Sequence, residues 1–321
     1  MRVLVTPTSL SADRDHPALA PLRDLDAELV FNDAGRPLTS VEVAHALVGV
    51  DAVIAGLDDF DAAALAGADR LRLIARYGAG VDNVDLDAAH ARGVAVTRTA
   101  GANAAAVAEM AIALAFAAAR GIPILDAGVR AGEWPRGRGI ELGGRSFGVL
   151  GFGAIGRHVA ALARGLGMRV SAWDPLLPDA EMAAAGVTPR ALDDLCATSD
   201  VVSVHVPLVP TTRHLLDATR LAMLPPGGIV INTARGGILD EEAARAALDA
   251  GRLHAVAVDV HESEPPSAPP LIHSPQRGPH RRGRHPHGRG DGRGDRGPRP
   301  RRGAGGSGQR TPRTSLRTAS T

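Results

Sequence analysis

The run Val149-Leu150-Gly151-Phe152-Gly153-Ala154-Ile155-Gly156 carries the chain from an apolar segment through three spaced glycines into a helical stretch. In a dinucleotide turn each glycine has its own use. Gly151 permits the tight bend, Gly153 lets backbone approach a pyrophosphate, and Gly156 allows helix and strand to pack closely. The start of the helix, with Ala154 and Ile155, then faces the phosphates. Such spacing also arises in ordinary strand-to-helix turns, so the acid that follows matters. Asp174 ends the next apolar run, 18 residues beyond Gly156, where a carboxylate accepts hydrogen bonds from the adenosine ribose. Its charge repels a 2′-phosphate, which favours NAD over NADP.

A repeating framework has to hold these residues. Up to about Pro275, short apolar runs alternate with longer Ala- and Leu-rich segments, a βα repetition that predicts parallel sheets covered by helices. Strands are expected at 3–6, 52–55, 71–76 and 94–97, with short helices at 61–67 and 85–92. A long apolar helix at 103–120 and a Gly- and Arg-bearing connection at 121–144 lead into a second series. Its strands are expected at 147–150, 169–173, 201–205, 229–232 and 255–258, and its helices at 155–166, 192–197 and 241–250, the last capped by Asp240. The fold class is α/β, with two doubly wound parallel-sheet lobes, one flavodoxin-like over residues 1–98 and one Rossmann-like over 99–275.

The 321 residues suffice for a sizeable core, and no stretch of 18 or more lacks charge or turn residues, so no membrane span is expected. The first six residues read as a strand and not as a leader, and a cytoplasmic protein is expected. Cys196 is alone, so it forms no internal disulfide, and a buried structural thiol is its expected role. No metal site is expected. The net charge of +1 conceals two opposite parts: thirteen Arg and two Asp from Gln276 onward give +11, leaving −10 on the preceding 275 residues. Every basic side chain is Arg; there is no lysine.

Further motifs follow one another in the chain. They are Arg76-Tyr77-Gly78-Ala79-Gly80-Val81-Asp82-Asn83, Gly101-Ala102-Asn103 with Val107-Ala108-Glu109, the glycine turn, and His205-Val206-Pro207-Leu208. After them come Asn232-Thr233-Ala234-Arg235-Gly236-Gly237 and Asp259-Val260 with Glu264-Pro265. Together these resemble the D-isomer-specific 2-hydroxyacid dehydrogenases, in the branch that includes phosphoglycerate dehydrogenase and the hydroxypyruvate and glyoxylate reductases. The resemblance implies a substrate lobe at 1–98 and an NAD lobe at 99–275, with the active site between them. Hydride then passes between nicotinamide and C2 of a small 2-hydroxy or 2-oxo acid.

By the same resemblance Arg235 is the substrate arginine, whose planar fork holds a carboxylate and polarises the adjacent carbonyl. Glu264 matches the acid that orients the catalytic histidine and raises its pKa. Asp259 matches the contact to the nicotinamide carboxamide, and Thr233, Ala234 and Arg235 adjoin the nicotinamide half. Ala79 and Gly80 offer backbone N–H groups to the substrate carboxylate, and Asn103 lines the cleft. His205 and Pro207 pass beneath the cofactor, with the histidine structural. A homodimer joined through the cofactor lobe and the 103–120 helix is the family expectation.

The resemblance ends at Pro275. Leu271-Ile272-His273-Ser274-Pro275 fits the approach to the family's acid/base histidine, but Gln276-Arg277-Gly278-Pro279-His280-Arg281-Arg282 replaces the apolar strand that should follow. The last 46 residues hold three apolar side chains, Ala304, Leu316 and Ala319, against 11 Gly and 13 Arg, so a disordered basic tail at 276–321 is expected. His280, His285 and His287 lie near the required separation, without a strand to deliver them. An abrupt change of this kind is what a shifted reading frame in GC-rich DNA produces, and a frameshift near Gln276 is the expectation. Two other functions stand beside the dehydrogenase. One is an NAD-binding relic without the acid/base group, which typically supplies about 10²–10⁴-fold in rate. The other is a nucleic-acid-binding arm built on the tail arginines, against which counts the lack of any aromatic there for base stacking.

Overall fold

Runs of Val, Ile, Leu and Ala form eleven strands in two all-parallel sheets among the described residues, which are 1–137 and 139–263 of a computed structural model. Glu264, the histidines beyond it and the 276–321 tail lie outside the described residues. The first sheet holds β1 (Arg2–Val5), β2 (Glu28–Phe31), β3 (Ala52–Ala55), β4 (Leu73–Arg76) and β5 (Ala95–Arg98). Its order, β2-β1-β3-β4-β5, is the flavodoxin order. The second holds β6 (Ser146–Leu150), β7 (Arg169–Trp173), β8 (Thr188–Pro189), β9 (Val201–Val204), β10 (Gly228–Asn232) and β11 (Leu253–Val258). Read from β8, its order β8-β7-β6-β9-β10-β11 is that of the Rossmann fold. The α/β class expected from the apolar runs is the observed one.

Burial explains why the central strands are continuous apolar runs. Every residue of β9 and β10 is buried, as a parallel strand covered by helices on both faces requires. The helix Ala104–Arg120 packs its Ala108, Ala111, Ala115 and Ala118 into the second core, against Phe147, Val149 and Ile231. Aspartates start several helices as foreseen at Asp240, whose Oδ1 accepts from Ala243 N at 2.9 Å. Asp61 and Asp85 do the same for the helices Ala62–Ala66 and Leu86–Ala91.

Several elements fall where the sequence reading places none, among them β8 and the helices Thr8–Ala12, Ala20–Arg23, Asp179–Ala184 and Ala218–Met223. β2 and the helix Ser40–Ala46 fall in a stretch with no predicted element, and residues 121–144 are not purely a connection. That stretch holds the helix Ile122–Arg130: Gly121 ends the preceding helix at φ +62°, and Pro123 is tolerated because it sits in the first turn. Among the described residues no single helix is long and apolar enough to cross a membrane; the two helices meeting at Gly121 match in length and composition only as a pair bent by 65°. Cys196 is buried, and burial pushes its thiol up to about 11.

Candidate active site

β6 and β9 are the neighbours at which the second sheet reverses its winding, and a crevice at the carboxyl ends of such strands is where α/β sheets bind ligands. The glycine turn lies there. Gly151 follows β6 at φ +94°, and a Cβ on it would stand 2.7 Å from the carbonyl oxygen of His205, which follows β9. Gly156 has no room for a side chain, because a Cβ would overlap the Gly151 carbonyl in the first turn of the helix Ala154–Gly165. Gly153 is the opposite case, with nothing within 4 Å of a built Cβ. The turn is therefore tight against protein at two glycines and open at the third.

Asp174 is held beside this opening. Its Oδ2 accepts from Phe152 N at 2.8 Å and its Oδ1 from Leu176 N at 2.9 Å. Each carboxylate oxygen keeps a lone pair for a further donor, such as a ribose hydroxyl. The 101–103 loop reaches the same place, since a Cβ on Gly101 would lie 3.7 Å from Ala154 Cβ. Asn103 itself is exposed at the start of the long helix, without a side-chain cap bond.

Asn232, at the end of β10 and 1% exposed, organises the second group of residues. Its Oδ1 accepts from Ala234 N at 3.0 Å and its Nδ2 donates to Arg235 O at 2.8 Å. Its own carbonyl accepts from Asp259 N at 3.0 Å. One buried amide thus fixes both the Arg235 turn and the first residue after β11. Gly236 completes the arrangement: the backbone of His261 passes so close that a Cβ there would overlap it. Thr233 is also buried, and its Oγ1 has no partner among the described residues.

Arg235 reaches across to the first sheet. Its Nε donates to Asp82 Oδ2 at 2.9 Å and its Nη1 to Ala234 O at 2.7 Å, while its Nη2 occupies the place a Gly80 Cβ would take. Burial would raise the Asp82 carboxyl, but the hydrogen bond and charge of Arg235 outweigh it and hold the group below the usual range. The N–H groups of Ala79 and Gly80 donate to no acceptor among the described residues. The Arg235 guanidinium thus lies against a backbone stretch whose N–H groups have no acceptor among the described residues, and guanidinium and backbone N–H are the donor types a carboxylate takes.

The structure thus joins Arg235, Ala79 and Gly80 in one place, ties Asp259 to the same turn through Asn232, and sets Gly151, Gly153, Gly156 and Asp174 in another. Asp82 and Asn232 were not assigned roles from sequence, though both stand inside quoted motifs. His205 is buried with Nε2 2.8 Å from Ser203 Oγ and Nδ1 without a partner among the described residues, and burial pulls its pKa down to about 3. A neutral, packed imidazole agrees with a structural role.

Residues 112–279 match the family model described as D-isomer specific 2-hydroxyacid dehydrogenase, NAD binding domain. The chain belongs to this family. It is 41% identical over 210 residues to a D-3-phosphoglycerate dehydrogenase of Methanocaldococcus jannaschii, covering 64% of this chain and 40% of that protein. The chain therefore spans less than half the length of that curated relative. Among solved structures, a Thermus thermophilus protein superposes with a TM-score of 0.72 at 35% identity, covering 84% of this chain and 85% of that one. A D-lactate dehydrogenase of Aquifex aeolicus, solved with NAD and lactic acid, gives a TM-score of 0.70 at 27% identity, covering 81% and 77%.

NAD fits the residues present. The open face at Gly153 leaves space for a pyrophosphate against backbone, Asp174 offers oriented acceptors to a ribose, and the buried Thr233 hydroxyl lacks a partner among the described residues.

Proposed function

We propose that the chain is an NAD-dependent oxidoreductase acting on a small 2-hydroxy or 2-oxo acid, with residues 1–98 as substrate lobe and 99–275 as nucleotide lobe. The observation that carries this reading is the Arg235 guanidinium lying on Gly80, beside the free N–H groups of Ala79 and Gly80. When bound, NAD supplies the hydride acceptor or donor. Gly151, Gly153, Ala154, Ile155 and Gly156 hold its phosphates, Asp174 its ribose, and Thr233, Ala234 and Asp259 its nicotinamide half. Ala79 and Gly80 take the substrate carboxylate, and the fork of Arg235 binds that carboxylate and draws electron density from the C2 carbonyl. Glu264 is assigned to orient and raise the acid/base group.

Two side readings accompany it. Met110, Ile122, Val129 and Trp134 are exposed on and just after the helices Ala104–Arg120 and Ile122–Arg130, and exposed apolar side chains on these elements support the homodimer expected through the long helix. Cytoplasmic residence belongs to the same proposal.

The test is the loss of NADH absorbance after adding hydroxypyruvate, glyoxylate or phenylpyruvate to the full chain. Turnover should fall about 10²–10³-fold in Arg235→Lys, which loses the fork. Tight NADH binding with no turnover on any 2-oxo acid would overturn the proposal.

A further inference from the structure

The turn that carries Arg235 is held from two sides. On one side the segment that follows β11 crosses it, so closely that a Cβ on Gly236 would overlap the backbone of His261 and stand 2.3 Å from Glu262 N. On the other side lies the loop after β9. There His214 N donates to Gly237 O at 2.8 Å, and Arg213 Nη1 lies 3.1 Å from the place a Gly237 Cβ would take. The two sides also join each other. His214 Nε2 donates to Glu262 Oε1 at 2.5 Å, which closes a ring of contacts through Gly236, Glu262, His214 and Gly237, with Arg235 next along the chain.

Backbone conformation sets His214 apart. It sits at φ +48°, a left-handed geometry that a residue with a Cβ keeps only where its surroundings hold it. The path of the crossing segment, by contrast, is secured without the pair. Asp259 N donates to Asn232 O at 3.0 Å, and Glu262 N donates at 2.9 Å to Oε1 of Glu241, the first residue of the helix Glu241–Asp249. His261 Nδ1 stands 3.5 Å from that same oxygen. What the pair adds is a link between loop and segment across the turn. Its two side chains are about a third exposed, and the other cation near Glu262, Arg213 Nη2, is 3.9 Å away. An ion pair so placed contributes little to stability, so its effect falls on where the turn sits.

We infer that His214 and Glu262 are positioning residues: their pair ties the loop after β9 to the segment after β11 and so fixes where Arg235 presents its fork to the substrate acid. The inference rests on the proposed dehydrogenase reading and adds the means by which its substrate arginine is set.

A double-mutant cycle on the full chain, His214→Gly with Glu262→Ala, tests it. Glycine is at ease at φ +48°, and Glu262→Ala keeps the backbone bond to Glu241, so melting temperature should hold and NADH affinity stay within about twofold. In either variant kcat/KM for hydroxypyruvate should fall about tenfold, because a small misplacement of Arg235 costs rate. Calorimetry on the NADH-loaded chain with oxamate, a 2-oxo acid analogue that accepts no hydride, should show a loss of affinity of about the same size. The double variant should lose no more than the worse single one, since each removes the same contact. Losses that add in the double variant, an unchanged kcat/KM, or a parallel fall in NADH affinity overturn the inference and leave the dehydrogenase standing. A collapse of the melting temperature in both variants makes the pair structural and likewise overturns it. If the unaltered chain binds NADH and reduces no 2-oxo acid, the dehydrogenase reading fails and takes the inference with it.

Discussion

Arg235 Nε and Asp82 Oδ2 meet at 2.9 Å although 153 residues separate them, so the arginine that follows β10 is aimed by an acid from the loop after β4. The pair is a third to a half exposed, which limits its contribution to stability to about 1 kcal/mol or less. Its effect belongs on geometry. Asp82→Ala should lower kcat/KM for 2-oxo acids about tenfold while NADH affinity stays within about twofold, a loss of one charge-assisted bond at the substrate end only. Steady-state kinetics beside NADH titration reads both. An equal loss in the two would show that Asp82 supports the fold as a whole.

Two glycines of the same turn should respond in opposite ways. Gly156→Ala forces a methyl into the Gly151 carbonyl, so the melting temperature should drop sharply, with a cost of about 3 kcal/mol. Gly153→Ala meets no protein atom within 4 Å and sits at φ −71°, so the fold should be unchanged while NADH affinity falls at least tenfold. Thermal melts with and without NADH separate the two outcomes.

Asp174 is fixed by Phe152 N and Leu176 N, and the proposed function gives its carboxylate to the ribose. Asp174→Ala should weaken NAD by about 1.5–3 kcal/mol, the value of hydrogen bonds to a charged group, and weaken NADP far less. Comparable losses for both nucleotides, read by calorimetry, would remove Asp174 from cofactor selection.

His205 makes an acid-side prediction. The folded protein holds its pKa near 3 by burial, against about 6.5 in the unfolded chain. Below pH 6.5 the unfolded state takes up a proton that the folded state refuses. Stability is therefore lost as pH falls from 6.5 toward 3, by at most about 1.4 kcal/mol per pH unit. Urea midpoints at pH 7, 5 and 4 should show this slope, and His205→Asn should flatten it. Identical slopes in the two proteins would contradict the buried, neutral imidazole.

Much of the site is legible in local sequence because its parts are short and chemically constrained. Three glycines before a helix, an acid at the next strand end, and an arginine between small residues each carry their reason within a few positions. The Asp82–Arg235 contact does not, since it exists only once two sheets are folded. Asn232 is similar: its buried amide looks like an ordinary strand end until Arg235 and Asp259 are seen to share it. Among the elements, β2 escapes notice because it is a four-residue edge strand with half-buried residues instead of a buried run. The helix Ser40–Ala46 did carry a signal, Thr39 with Glu42 three residues on, and Glu42 Oε2 does accept from Thr39 N at 2.8 Å. The helix Ile122–Arg130 is hidden by Gly121, Pro123 and Gly128, residues that usually mark loops.

Transfer of hydride to C2 of an acid gripped by Arg235 is read by isotopic labelling. The full chain is incubated with a 2-oxo acid and NADH deuterated at the transferred position, and the product is analysed by mass spectrometry and NMR. One deuterium is expected on C2 of the resulting 2-hydroxy acid, with the yield falling in Arg235→Lys. Product without the label, or no product while NADH is bound, would contradict it.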